Sequence, residues 1–576
     1  MKDYIERFHN LAVSEKRNFL KFIFEFGEKR VFRHDKNIKM LFKFPLGKIS
    51  LWWFSRIAEK PTVKSDFYSN LISFLISEKV ETKQRNLKGY LKETPYYYFF
   101  DGVRYLFYLV IKSFYARLFI KKFSERGKKL STMDYIVVSY FPLIDEKKAQ
   151  KGIFENRYIP SFHRALEKQR KGRYAHICLP VFIGNHGFKS SVNLINKFSE
   201  NQSLFLVEEF FKPVHSILLF VYYFYFFTLF ILNKNKIRKE MVYKYDSRGY
   251  DVWPIFKNDF YYSFCGVRLI ASLYYILIFK EIISHVKKEC KILCICEMQW
   301  WEKALYFYAK EKGIMTIGYQ HTTLSELWLD YFNDAREIIE EKGVETCPLP
   351  DYIATVGEFT RNHLTNWGWP EGRVFVWGGL RFDALKDHRQ INSDWQEKEN
   401  YIVCAFSISY SESTNLLIFL MEAFKKNNGY KILLKSHPLL PIQDLTRTLN
   451  IEVNSKIFEF TDTPLDKIMP KAKGMIVTES SSSFYAIANG CPVIVPRFRN
   501  MLDLNPLSYI SDIPLYVYSP QELRDICYKI ITAQDSPISI EKCHKFLDNY
   551  LYFPNPEEEY LEKIDSLKNY CKEGIT

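Results

Sequence analysis

No two of the 11 cysteines stand in a C-x-x-C spacing, which excludes zinc ribbons and thioredoxin-type redox chemistry. Cys294 and Cys296 fall inside an apolar run and read as buried thiols. A reducing, cytoplasmic setting is therefore expected, with neither a disulfide frame nor a metal site. No Asp-x-Asp stands at a strand exit to hold a divalent cation, and no cofactor is expected. Neither an aromatic RNP strand nor zinc-finger spacing is present, which argues against a nucleic-acid partner. Charges interrupt every early apolar run, so no secretory signal is expected. The apolar segment Ile217–Leu232 holds 16 uncharged residues, short of the about 20 that cross a bilayer. Internal repeats and long low-complexity linkers are also missing, which sets solenoids and tail-like chains aside.

What is present is a long, basic, aromatic chain. Its 576 residues allow two or more domains with full cores. Net charge is +15, and 49 Phe and 40 Tyr lift the aromatic share to 17%. With nucleic acid set aside, that balance points to an anionic membrane surface. Ile217–Leu232 is followed by Lys234, Lys236, Arg238 and Lys239, which suits a buried or interfacial helix better than a spanning one. Ile111–Leu130 sets seven Lys and Arg against Glu125, interleaved with aromatic and aliphatic residues. Two readings stay open there: a helix on a membrane surface, or a solvated basic face packed on the core.

Hydrophobic periodicity divides the chain into four regions. Residues 1–130 read as a helical, basic and aromatic extension. Residues 131–350 read as a Rossmann-like half that contains the apolar helix 217–232. Residues 351–525 read as a second Rossmann-like half, and 526–576 as helices that pack back. The expected fold class is thus α/β, with two Rossmann-type domains facing a cleft. Asp351–Thr360 reads as the crossing strand, with Gly357 permitting a tight turn into the next helix.

Polar groups gather where apolar strands end, which is where open parallel sheets bind ligands. In the first half, the strand from Lys291 exits at Glu297, and the strand from Gly313 exits at Gln320 and His321. A carboxylate at such a rim can deprotonate a hydroxyl or attack an electrophilic carbon. Glu297 leads that choice, with Glu302 and His321 behind it; a helix-capping role for Glu297 and a structural one for His321 are the plainer alternatives. In the second half, one strand ends in Lys435-Ser-His437-Pro438 and another in Thr-Glu479-Ser480-Ser481-Ser482-Ser483. A hydroxyl row in the first turn of a helix suits a phosphate, and Lys435 and His437 add charge or hydrogen bonds from the neighbouring strand end. Between the halves, Gly378 and Gly379 allow close backbone approach, and Arg381 is placed to face a donor. Ser407–Ser413 follows another strand end, and Arg497 and Arg499 add charge near the cleft.

The pair His437-Pro438 and Ser480–Ser482 resembles the donor motifs of GT-B glycosyltransferases that use cytidine nucleotides. Those include bacterial sialyl-, polysialyl- and Kdo-transferases and the CDP-glycerol polymerases of teichoic acid synthesis. The segments Glu297–Glu302 and Gly318–His321 are similar to those of bacterial surface-carbohydrate transferases. The resemblance implies a metal-independent enzyme of capsule- or lipopolysaccharide-type synthesis with a GT-B-like fold. It assigns donor-phosphate contacts to His437 and to Ser480–Ser482. The implied partners are a nucleotide-sugar donor linked to CMP, a glycan or lipid-linked acceptor, and the inner face of the cytoplasmic membrane. An NDP-hexose transferase, a CDP-glycerol-type phosphotransferase and an inactive membrane assembly factor stay open beside it.

Overall fold

Short aliphatic runs build two parallel sheets. The computed structural model describes residues 1–576 except 31–35, 47, 63–65, 78–92, 122–126, 183–185, 200–201, 340–344, 388–393, 426–428, 510–511 and 569–576. In chain order the first strands are β1 (Tyr135–Phe141), β2 (Tyr174–Pro180) and β3 (Leu204–Leu206), followed by a small hairpin of β4 (Val242–Tyr245) and β5 (Arg248–Asp251). Next come β6 (Lys291–Cys296), β7 (Met315–Gln320), β8 (Tyr352–Thr355) and β9 (Val374–Val376). The second half holds β10 (Tyr401–Ala405), β11 (Lys431–Lys435), β12 (Phe458–Thr461), β13 (Gly474–Val477), β14 (Val493–Pro496) and β15 (Pro514–Val517).

The first sheet runs β3-β2-β1-β6-β7-β8-β9 and the second β12-β11-β10-β13-β14-β15. Every pairing within both is parallel. Both orders reverse direction, between β1 and β6 and between β10 and β13. These reversals are the switch points where a doubly wound sheet opens a crevice. The architecture is therefore two Rossmann-like halves, as the strand pattern implies. All residues of β13 and β14 are buried, as parallel strands covered on both faces must be.

The change of sheet comes later than the boundary expected at 351. β8 pairs with β7, and β9 pairs with β8, so both belong to the first half. The backbone N–H and hydroxyl of Thr316 both donate to Asp351 Oδ2, at 2.8 and 2.9 Å, which fixes the start of β8 beside β7. Arg381 consequently sits in the connection between the sheets.

Both chain ends tie the halves together. Helix Lys2–Gly27 buries a stripe that includes Ile5, Phe8, Ala12, Phe19 and Ile23. Tyr4 donates its hydroxyl hydrogen to Asn500 Oδ1 at 2.7 Å, and Lys16 donates to the Glu326 carbonyl at 2.5 Å. The Lys16 ammonium also lies 3.4 Å from the Phe332 ring centre and 3.7 Å from that of Trp367. Burial lowers its pKa to about 7. Helices Ile540–Tyr550 and Glu559–Ser566 return to the first half, where Trp377 Nε1 donates to the Tyr560 carbonyl at 2.9 Å.

Gly357 serves packing rather than a turn. Its φ of −173° is extended backbone open to any residue. A Cβ there would instead meet the Tyr550 carbonyl oxygen at 2.1 Å and its carbon at 2.5 Å. Gly357→Ala is expected to displace the returning chain at Tyr550 and to lower stability by about 2 kcal/mol, read from thermal or urea unfolding.

Candidate active site

Glu297 leaves β6 at the first switch point with a polar side chain near each of its carboxylate oxygens. The Tyr140 hydroxyl, from the end of β1, lies 3.5 Å from Oε2. His321 Nε2, from the end of β7, lies 3.5 Å from Oε1. The Glu297 side chain keeps 31% of its surface exposed while His321 keeps 1%. Burial, followed by the charge of Arg381, pushes the His321 pKa well below its ordinary value, so the ring is neutral at pH 7. Burial, then the Glu297 charge, raises the pKa of Tyr140. The carboxylate thus has two neutral polar neighbours and keeps part of its surface exposed.

Glu302 takes a different part from the one expected of it. It is fully buried, and its Oε1 accepts the backbone N–H groups of Glu297 at 2.9 Å and Gln299 at 3.1 Å. Tyr306 donates its hydroxyl hydrogen to Oε2 at 3.1 Å. A carboxylate so occupied shapes the 297–302 loop and does not face the cleft.

At the second sheet, Lys435 and His437 end β11 while Glu479 and Ser480–Ser482 follow β13, on either side of β10. Two strand spacings separate them, roughly 10 Å. His437 is half-buried, and burial followed by the Arg381 charge lowers its pKa to about 4. Its Nδ1 accepts the Leu439 backbone N–H at 3.1 Å. The neutral ring therefore carries its proton on Nε2 as a hydrogen-bond donor. Lys435 Nζ donates to the Asp462 carbonyl at 2.9 Å, and Pro438 is exposed.

The serine row does not open a helix as expected. The helix begins at Ser483 and is six residues long, Ser483–Ala488. Ser480 Oγ accepts the Ser482 backbone N–H at 3.2 Å and lies 2.6 Å from Ser482 Oγ, so Ser480–Ser482 form a hydroxyl-stabilised turn ahead of it. Glu479 turns its carboxyl onto that of Glu412, which also accepts the Ser407 hydroxyl at 3.0 Å. Burial raises both pKa values; the Glu479 charge raises that of Glu412 further, whereas the hydrogen bond between the two lowers that of Glu479, so the pair shares a proton. Arg497 is spent on Asp503, at 2.5 Å, and Arg499 lies over Tyr4. Gly378 and Gly379 pack against the returning chain: a Cβ on Gly378 would meet Tyr560 at 2.8 Å and Pro554 at 2.9 Å.

Arg381 joins the two rims. Its guanidinium lies 4.9 Å from the Tyr158 ring centre, and that ring stacks on His321 at 4.6 Å. Its charge depresses the pKa of His437 on one side and His321 on the other. Buried Asn156 donates to Ser139 Oγ at 2.9 Å, and its own Oδ1 accepts the Tyr158 backbone N–H at 2.9 Å, which fixes the ring under Arg381. Tyr140, Tyr158 and Glu412 had no local signal beyond lying near strand ends or in loops. Among the described residues, no cluster of three or more His, Cys, Asp or Glu side chains gathers to hold a metal ion.

No protein-family profile matches the chain, and no curated protein matches it. Similar solved structures include the UDP-GlcNAc 2-epimerase of Methanocaldococcus jannaschii, 11% identical with a TM-score of 0.39 over 75% of this chain and 99% of that one. Anabaena HepE in complex with UDP and glucose is 10% identical, with a TM-score of 0.39 over 76% and 100%. A glycosyltransferase from Rickettsia africae is 12% identical, with a TM-score of 0.37 over 75% and 97%. Likenesses this weak add nothing to the strand order and register on which the architecture rests.

Burial lifts the Glu302 pKa from 4.5 to about 7. The folded chain therefore holds this proton more tightly than the unfolded one. The stabilisation is complete below 4.5 and is lost as the pH rises through 7. Glu302→Gln mimics the protonated form and is expected to remove up to about 3 kcal/mol of pH dependence between about pH 5 and 8 in urea unfolding. A variant that keeps the wild-type pH profile would count against this assignment.

Proposed function

We propose that the chain is a glycosyltransferase that moves a sugar from a nucleotide-activated donor to a glycan acceptor. A CMP-activated donor of the Kdo or sialic-acid-like kind is the first class to consider, in bacterial surface-polysaccharide synthesis. The observation that carries the reading is the unbroken line Glu297, His321, Tyr158, Arg381, which runs from the first rim to a cation acting on His437 at the second. It sets a carboxylate opposite a cation and a neutral imidazole donor, the two ends that sugar transfer from a phosphate requires.

In this reading Glu297 takes the proton of the acceptor hydroxyl. The acceptor oxygen bonds to the anomeric carbon as the bond from that carbon to the donor phosphate oxygen breaks. Negative charge develops on the departing nucleotide, where Arg381 and the Nε2–H of His437 meet it. Direct attack by Glu297 on the anomeric carbon is the retaining variant of the same geometry. The shared proton of Glu412 and Glu479 weakens that pair's repulsion of an incoming phosphate.

Isothermal titration with CMP, UDP and GDP tests the donor side. CMP is expected to bind most tightly, and His437→Ala to weaken it about tenfold. Preference for UDP or GDP would move the donor class to NDP-hexoses, and absence of any nucleotide binding would overturn the enzyme reading in favour of a scaffold. Product analysis with defined lipid-linked acceptors tests the other side and separates sugar transfer from glycerol-phosphate transfer. Glu297→Gln is expected to keep nucleotide affinity while lowering turnover about 100-fold or more.

A further inference from the structure

We propose that helices Pro95–Phe119 and Pro213–Lys239 form a docking face that lies in the headgroup layer of an anionic lipid bilayer, both helices parallel to its plane. The inference stands apart from the transferase reading, because it uses a different surface.

The two helices run antiparallel, side by side. Near one end Phe99 stacks on Tyr223 at 5.4 Å, and near the other the Arg117 guanidinium donates to the Phe211 carbonyl at 3.4 Å. Gly102 permits the close crossing, since a Cβ there would meet the Tyr223 hydroxyl at 2.3 Å. Both back onto the largely buried helix Val267–His285 and the turn before it. Ser113 Oγ and Tyr274 Oη lie 2.7 Å apart, and Tyr223 donates its hydroxyl hydrogen to the Cys265 carbonyl at 2.7 Å. With their inner sides on one layer, their outer sides face away from the core together.

Those outer sides are apolar. On the first helix, Phe100, Phe107, Ile111, Phe114 and Leu118 recur at helical spacing and are exposed, Leu118 at 76%. On the second, Ile217, Val221, Phe224 and Leu232 do the same, Leu232 at 74%. The face is about 40 Å long by helix rise, far beyond the patches that soluble surfaces usually leave to water. Tyr96, Tyr97, Tyr108 and Tyr225 add exposed rings with a polar tip, the type that settles at a headgroup boundary.

Charge selects the occupant. Lys236, Arg238 and Lys239 close the second helix's last turn, so exposed cations stand at one end of the apolar stripe, while Lys212 at the other end pairs with Glu281 at 2.8 Å. A second copy of the chain would bring the same basic end and the same +15 net charge, whereas anionic headgroups complement both. Lying in plane fits better than crossing. The stripe Leu219, Tyr223, Phe226, Phe230 and Ile237 holds the second helix against the protein along nearly all its length, and a span would have to peel it away.

Flotation of the full chain with vesicles of phosphatidylcholine, with and without phosphatidylglycerol, tests this. The chain is expected to float with the anionic vesicles and to release as salt rises. The double variant Phe107→Glu with Ile217→Glu is expected to bind about tenfold more weakly or worse, with unchanged melting temperature and nucleotide binding. A chain that stays behind from both vesicle types, or a double variant that floats like wild type, would overturn the proposal. So would a dimer in light scattering that the same substitutions break without any vesicle binding, which would assign the face to self-association. Equal binding to neutral vesicles would overturn the part played by charge.

Discussion

The candidate site depends on where Arg381 is held. It lies in the connection that leaves the first sheet, and its guanidinium rests over Tyr158, a ring anchored through Asn156 to β1. Among the described residues it stacks on that ring and forms no ion pair with a carboxylate, so its charge acts on its surroundings. It depresses the pKa of two histidines from two different sheets. A cation placed between two rims, with no carboxylate partner among the described residues, favours an anion arriving there.

Burial then divides the labour among the ionisable groups. His321 and His437 are kept neutral and act as hydrogen-bonding groups rather than cations. Glu302 is withdrawn into the loop it braces, and Glu412 and Glu479 moderate each other's charge by sharing a proton. Glu297 combines polar neighbours at both oxygens with a side chain that keeps part of its surface exposed, the combination a proton acceptor needs. The selection follows from desolvation: a carboxyl group that ionises in a dry site must be matched, and only the exposed one escapes that requirement.

Much of the scaffold was legible because parallel strands announce themselves as apolar runs with polar exits. Ile292–Cys296, Met315–Tyr319, Ile432–Leu434 and Met475–Val477 became strands, and Glu297, His321, His437 and Ser480 stand beyond their carboxyl ends. What was not legible depends on contacts distant along the chain. The sheet boundary is set by Asp351 pairing with Thr316. The value of Gly357 is set by Tyr550, nearly two hundred residues on. The Glu302 carboxylate reads as chemistry in one dimension, yet it folds back on the N–H groups of its own loop. Tyr158 has no pattern around it, and only the assembled fold puts its ring between His321 and Arg381. Local periodicity reports burial and strand ends well, whereas the identity of the groups that meet across a cleft is tertiary information.

The cleft and the proposed docking face share one support. Helix Val267–His285 carries the paired outer helices on one side. On another, Tyr275 packs against Trp300 at 5.4 Å, and Phe279 stacks on Trp301 at 6.0 Å. Trp301 Nε1 in turn donates to the Tyr140 hydroxyl at 3.2 Å, and that hydroxyl lies 3.5 Å from the Glu297 carboxylate. Close-packed interiors transmit position faithfully, because they have little room to yield. On the proposed docking, the height of Glu297 relative to the bilayer is therefore set by rigid packing rather than by a flexible tether. An acceptor anchored in that bilayer would meet the carboxylate at a constant distance, and the length of glycan between anchor and reacting hydroxyl would become a selected quantity.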